Sequence, residues 1–238
     1  MTVYDLQHDV IADLNQKIFY QESSMTSRPL SKIDHLLLGV DKALRAVVPH
    51  SNPSTRPLPV SNDAIPELSI TEARHVAGLM RINHTGEVCA QGLYHGQAFT
   101  AKNDGIKQGM HQSAQEEVDH LVWCETRLDE LGSHPSILTP LWYGMSFGLG
   151  AVAGAISNEF SLGFVAETEA QVSEHLQDHI GQLPPQDNRS REILSQMDKE
   201  ELHHRELALA SGGAVLSPSI RHTMRWMANG MKAAAYHL

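Results

Sequence analysis

Apolar residues recur every three or four positions over long stretches of this chain, and short clusters of Gly, Pro, Asn and Asp separate the stretches. That period marks amphipathic helices; no stretch of any length shows the alternation a strand requires. Ser31–Val48 reads as a short helix through Ile33, Leu36, Leu37, Val40, Leu44 and Val47, and a loop follows from Pro49 to Pro66. The pattern then predicts helices near 70–102, 106–132, 139–180 and 189–210, and a last one from Ser217-Pro218 to about Tyr236. Ser69-Ile-Thr-Glu72 is a capping box that opens the first long helix, and Pro218 suits a first turn. Asn103-Asp104-Gly105 and Leu183-Pro184-Pro185-Gln186-Asp187 are the clearest breaks between helices. The expected class is all-α, with an N-terminal extension over 1–55 (a polar appendage at 1–29, the short helix and a linker) and a bundle domain over 56–238 ending in a C-terminal helix.

Glutamates stand inside these apolar stripes. One stripe runs Met110, Ala114, Glu117, Leu121, Cys124, Leu128; another Leu162, Val165, Glu169, Val172, Leu176; a third Leu194, Met197, Glu201, His204, Ala208. Glu87 precedes Glu117-Val-Asp-His120, and Glu169 precedes Glu201-Leu-His-His204, at nearly equal intervals. Residues three apart share a helix face, so each Glu-x-x-His aims a carboxylate and an imidazole at one point. Glu87 and His120 are centred on the first break, Glu169 and His204 on the second. In two antiparallel hairpins each lone Glu therefore lies level with a Glu-x-x-His.

With 15 His and 28 acidic residues, a single Glu-x-x-His is ordinarily a surface pair. Glu72/His75 has that spacing, but Glu72 serves the cap, and His75 lies about 18 Å from Glu87 along the helix. Glu200/His203 overlaps the fourth motif, but that register would turn Gln196 inward. The level-matched set is different: four inward carboxylates are costly unless a cation compensates them. A lone Glu from each of two helices and a Glu-x-x-His from each of two others make the ligand set of a dinuclear carboxylate site in a four-helix bundle.

Composition narrows the rest. A formal charge of −10 with no basic stripe speaks against a nucleic-acid partner. Two cysteines, Cys89 and Cys124, exclude a four-cysteine zinc or rubredoxin-type module, and Cys124 lies one turn beyond His120, where it could line the site. Asp5, Asp9 and Asp13 interrupt the amino terminus, so no secretory leader is expected. From Pro135 to Asn158 there is no Asp, Glu, Lys, Arg or His. This stretch is rich in Gly and Ala and only borderline in length for a span, so an interfacial helix is expected rather than a crossing one. The alternative is a buried bundle helix packed through Gly144, Gly148, Gly150 and Gly154. Trp142, Tyr143 and Phe147 at its start suit a membrane interface. The last helix adds Ile220, Met224, Trp226, Met227 and Met231, with Arg221, Arg225 and Lys232 available for headgroups.

Several segments, in order, resemble the demethoxyubiquinone hydroxylases of ubiquinone biosynthesis: Arg81-Ile-Asn-His-Thr-Gly-Glu87, Ala90-Gln91 with Gly96-Gln97, Glu116-Glu-Val-Asp-His120-Leu, Pro140-Leu-Trp-Tyr-Gly, Gly163-Phe-Val-Ala-Glu-Thr-Glu169 and Glu201-Leu-His-His204. The likeness covers about residues 30–238. It implies a ferritin-like bundle holding two iron ions through Glu87, Glu117, His120, Glu169, Glu201 and His204, with Glu117 and Glu201 as bridges, Glu87 and Glu169 as terminal ligands, and no catalytic residue beyond the ligands. It implies a dioxygen-dependent monooxygenase acting on a 2-polyprenyl-3-methyl-6-methoxy-1,4-benzoquinol, with electrons from NADH or a reductase. With the uncharged segment, it places the protein peripherally on the cytoplasmic face of a bacterial cell membrane, as a homo-oligomer or in a quinone-biosynthesis complex. His84, one turn before Glu87, could support that ligand or be a polar helix residue bonded elsewhere. A small-residue groove beside the third helix would admit the ring while the tail stays in lipid.

The same ligands would serve a ferritin-like iron-storage or ferroxidase protein, which has no use for a long uncharged helix. A non-catalytic quinone scaffold would not need four inward carboxylates. A manganese catalase-like site is a more distant reading.

Overall fold

The computed structural model of the protein describes residues 31–61 and 64–238. The expectations for residues 1–29 lie outside this range. Among the described residues there are seven helices and no strand: α1 (Lys32–Val47), α2 (Ile70–Thr100), α3 (Asp104–Glu130), α4 (Thr139–Ile156), α5 (Asn158–Gln182), α6 (Asn188–Ala210) and α7 (Pro218–Ala235). The chain forms two compact units that divide between Gly39 and Val40. In the first, Ser31 and Asp34 open α1 by exchanging backbone-to-side-chain hydrogen bonds of 2.7 and 3.2 Å. All that follows concerns the second.

The expected signals start the bundle helices. Ser69 and Glu72 form the capping box of α2. Asn103 Oδ1 accepts from Gly105 N and Ile106 N at the start of α3, and Asp187 from Ser190 N at the start of α6. Fully buried Arg127 ties the end of α3 to that cap, donating to Asp187 (3.1 Å) and Ser190 Oγ (2.8 Å). The hairpins α2–α3 and α5–α6 face one another as a four-helix bundle. Its interior is layered. Val76, Met80, Trp123, Leu128, Leu176, Ile193 and Met197 fill one end, and Ala90, Tyr94, Met110, Ala114, Leu162, Val165 and Ala208 the other. Glu87, Glu117, His120, Glu169, Glu201 and His204 fall between them. The three stripes read from sequence are buried throughout, except Val172, which is half-buried.

One expected helix is two. The segment 139–180 breaks at Ser157 (φ −162°, ψ 166°), which caps α5 by accepting from Phe160 N at 3.1 Å. An extended residue cannot continue a helix, so α4 leaves the bundle and lies along the outside of α2. The two backbones touch through glycine: a Cβ on Gly92 would stand 2.6 Å from Tyr143 O, and one on Gly154 2.9 Å from Gln97 O. Gly96 and Gly150 approach the opposite backbone just as closely, whereas Gly144 and Gly148 meet nothing. The small residues of the expected groove are thus divided between a tight helix contact and an open face. That face exposes Leu141, Met145, Leu149, Val152 and Ile156. Tyr143 is turned inward, bonded to His95 Nδ1 (2.9 Å), rather than outward as an interface aromatic. No helix among the described residues is long and apolar enough to cross a membrane. On α7, Trp226 is exposed while Ile220, Met224, Met227 and Met231 are half-buried, and Arg225 pairs with Glu174 (2.8 Å).

Candidate metal centre

Each hairpin contributes three inward side chains, and all six are buried: Glu87, Glu117, His120, Glu169, Glu201 and His204. Glu117 and Glu201 are central. Glu117 presents Oε2 to His120 Nδ1 (2.8 Å) and Oε1 to His204 Nδ1 (2.9 Å). Glu201 repeats this with Oε1 at 3.2 Å from His120 Nδ1 and Oε2 at 3.8 Å from His204 Nδ1. Glu87 stands on the His120 side, its Oε2 3.7 Å from His120 Nδ1. Tyr94, wholly buried, donates from its hydroxyl to Glu169 Oε1.

Short as several of these distances are, they are not hydrogen bonds. Both oxygens of Glu117, Oε2 of Glu201 and Nδ1 of both histidines are buried with no partner in bonding geometry. Buried polar atoms are almost always satisfied. Five orphans converging at one depth therefore mark lone pairs aimed at a common centre. Ligand atoms of Glu87, Glu117, His120 and Glu201 lie within 4.8 Å of one another, so this buried cluster could hold a metal ion. Glu169 and His204 complete the layer around the other oxygens of the same two carboxylates.

The titration of the layer fits this. Burial, with the charges of Glu201 and Glu117, pushes Glu87 and Glu169 well above the usual carboxylate range. Burial opposes charge on Glu117 too, but His120 and His204 outweigh it and hold Glu117 low. Both imidazoles rise against the same burial; Glu117 and Glu201 push His204 up to about 12. The layer thus collects protons to offset its carboxylates, a role divalent cations fill better in a site of oxygen and imidazole donors.

The register on α6 is as expected: Glu201 and His204 are buried, His203 is exposed. Of the two readings of His84, the structure shows the one bonded elsewhere. The ring is buried, but its Nε2 meets Glu125 Oε1 at 3.2 Å, and it does not support Glu87. Cys124 is wholly buried, with its Sγ 3.9 Å from Met197 Sδ. Three residues around the layer escaped the reading of the chain. Glu200 Oε2 lies 2.6 Å from His120 Nε2, and Glu116 Oε2 3.0 Å from His204 Nε2, so each histidine is backed by the other hairpin. The signal was there: both motifs read Glu-Glu-x-x-His. The third, Arg56, carries no local signal. Gln91 and Gln97 bond to Ala114 O and Ser161 O, binding α2 to α3 and α5.

A four-helix bundle whose core layer is built of shared carboxylates and paired histidines defines the ferritin-like carboxylate metalloprotein class. Within that class the chain belongs to the COQ7 family of ubiquinone biosynthesis proteins, whose sequence profile matches residues 74–236. It is 88% identical over 214 residues, 90% of this chain and all of the relative, to the 3-demethoxyubiquinol 3-hydroxylase of Psychrobacter arcticus. It is 53% identical over 211 residues, 89% of this chain and again all of the relative, to the enzyme of that name from Acinetobacter baumannii.

Proposed function

We propose that this chain is a di-iron monooxygenase that hydroxylates a 2-polyprenyl-3-methyl-6-methoxy-1,4-benzoquinol with dioxygen in ubiquinone biosynthesis. The observation that carries the reading is the pair of carboxylates, Glu117 and Glu201, each offering one oxygen to each histidine. Glu87 and His120 would hold one ion and Glu169 and His204 the other, with Glu117 and Glu201 shared. When bound, the iron pair would supply the redox chemistry of dioxygen activation. The chain supplies the setting. Glu116 and Glu200 keep each Nδ1 lone pair directed inward, Tyr94 holds Glu169, and apolar layers above and below exclude water from the site. One oxygen atom enters the ring and the other leaves as water, so each turnover takes two external electrons. The chain has no Gly-x-Gly-x-x-Gly, which leaves NADH acting directly, a separate reductase or the quinol itself as donor.

A polyprenyl tail remains in lipid, so the enzyme would work as a peripheral protein at the cytoplasmic face of the cell membrane. The exposed apolar face of α4 supports this. The test is anaerobic reduction with a short-tailed substrate, followed by exposure to oxygen-18 gas. The expected product carries one labelled hydroxyl, from protein holding about two iron ions per chain. Label from water, or iron oxidation with mineral growth and no product, would place the protein in the storage class.

A further inference from the structure

The two halves of the metal layer look alike until the groups behind the histidines are compared. Glu200, behind His120, is gripped. Arg56 Nη1 donates to its Oε1 (2.7 Å) and Nη2 to its Oε2 (3.0 Å), and Gln196 Nε2 adds a third bond at 2.6 Å. Arg56 is itself fixed, with Nε on Asp119 Oδ2 (2.6 Å) and its guanidinium 4.7 Å over the Trp123 ring. Buried Asp119 also holds the strap that carries Arg56, accepting from Ser54 Oγ (3.0 Å), Thr55 N (2.7 Å) and Thr55 Oγ1 (2.9 Å). Glu116, behind His204, is different. Its side chain is 44% exposed against 21% for Glu200, and its remaining hydrogen bond among the described residues comes from Gln112 on its own helix (2.9 Å).

We propose that Arg56 is a positioning residue that makes the two metal positions unequal, so that the His120 position fills first and the His204 position second. This rests on the dinuclear reading. The inequality is one of orientation, since formal charge is balanced: Arg56, Asp119 and Glu200 sum to −1, as Glu116 does alone. A metal-bound imidazole donates its distal N–H, and the acceptor sets the tautomer and ring angle. A carboxylate held by a bidentate guanidinium is already in place. A half-exposed one on a flexible stem must be ordered each time an ion binds.

The test is anaerobic titration of the metal-free chain with Co(II), followed by calorimetry and by visible absorption. Wild type should bind two ions in two resolved steps; His120→Ala should remove the tighter and His204→Ala the weaker. Arg56→Ala and Glu200→Gln should each weaken the tighter step by about tenfold or more and merge the two. Arg56→Lys, which keeps the charge but not the fork, should not restore it. Glu116→Gln should shift only the weaker step. Glu192→Ala removes the bonds that hold the strap at Ser61 N and Oγ, and should move neither step. Two unchanged steps in Arg56→Ala, or an equal loss in Glu192→Ala, would overturn the role of Arg56. A single ion in wild type would instead overturn the dinuclear reading.

Discussion

Glu117 and Glu201 serve both halves of the centre at once, so neither can be lost by halves. Glu117→Ala or Glu201→Ala should abolish turnover and reduce bound iron to less than one ion per chain, while circular dichroism keeps its helical signal. Without metal, Glu117→Ala should be less stable than wild type, because His120 and His204 lose the carboxylate that offsets their charge. Glu200→Ala should retain iron at reduced affinity, since Glu200 reaches the centre only through His120. Protons compete with the metal for the same lone pairs. With both imidazoles titrating far above their ordinary range in the metal-free layer, loading should release protons, and affinity should fall as pH falls. Calorimetry in buffers of different ionisation enthalpy counts those protons. The six inward side chains were legible because a charged residue inside an apolar stripe is a local anomaly. Their supports were legible only in part: Glu116 and Glu200 each precede a motif, but that each reaches the histidine of the other hairpin follows from no spacing rule.

At the scale of elements, α2 and α4 meet closely because neither carries a Cβ where the backbones cross. A Cβ on Gly96 would run into Phe147 O and stand 2.7 Å from Ala151 N, both backbone atoms that cannot rotate away. Gly96→Ala should therefore lower unfolding free energy by about 1–3 kcal/mol or more, as overpacking does. Gly148, on α4, meets nothing within 4 Å, and Gly148→Ala should be neutral or stabilising by up to about 1 kcal/mol. Urea denaturation of the two variants gives the comparison; equal effects would mean the close contact does not hold in solution. The hairpins and caps were readable from Ser, Asn, Asp and Pro, whose turn chemistry is local. The break at Ser157 was missed because the apolar run passes through it without Gly or Pro, although Ser157 followed by Glu159 is itself a weak helix-start signal.

For the molecule as a whole, the outward face of α4 and the buried histidines lead to two expectations. Leu149 and Val152 are exposed, so replacing both with Lys should leave fold and iron content unchanged. Each lysine costs about 2.5–3.5 kcal/mol if that face lies in lipid. Wild type should float with phosphatidylethanolamine–phosphatidylglycerol vesicles and the double variant should not; flotation of both would make α4 an ordinary surface. The second expectation concerns acid. His175 Nε2 is buried without a partner, and burial, with His179 nearby, lowers the His175 pKa to about 3. The unfolded chain takes up this proton near pH 6.5 and the folded chain does not, so the neutral ring's share of stability is present above that pH and is lost as pH falls towards 3. Relative to His175→Gln, wild type should lose roughly 1.4 kcal/mol per pH unit below about 6, read from denaturation midpoints.

By itself the sequence determined the helices apart from the break at Ser157, their hairpin pairing and the six inward Glu and His side chains. Helical period, turn residues and the cost of buried charge all act within a few residues or at matched depth. Tertiary structure alone decided the rest. It took α4 out of the bundle and divided its glycines between a contact and an open face. It turned His84 towards Glu125, and it brought Arg56 from the linker onto Glu200. Each of these depends on which surfaces meet in space, and surfaces separated by scores of residues leave no common pattern along the chain.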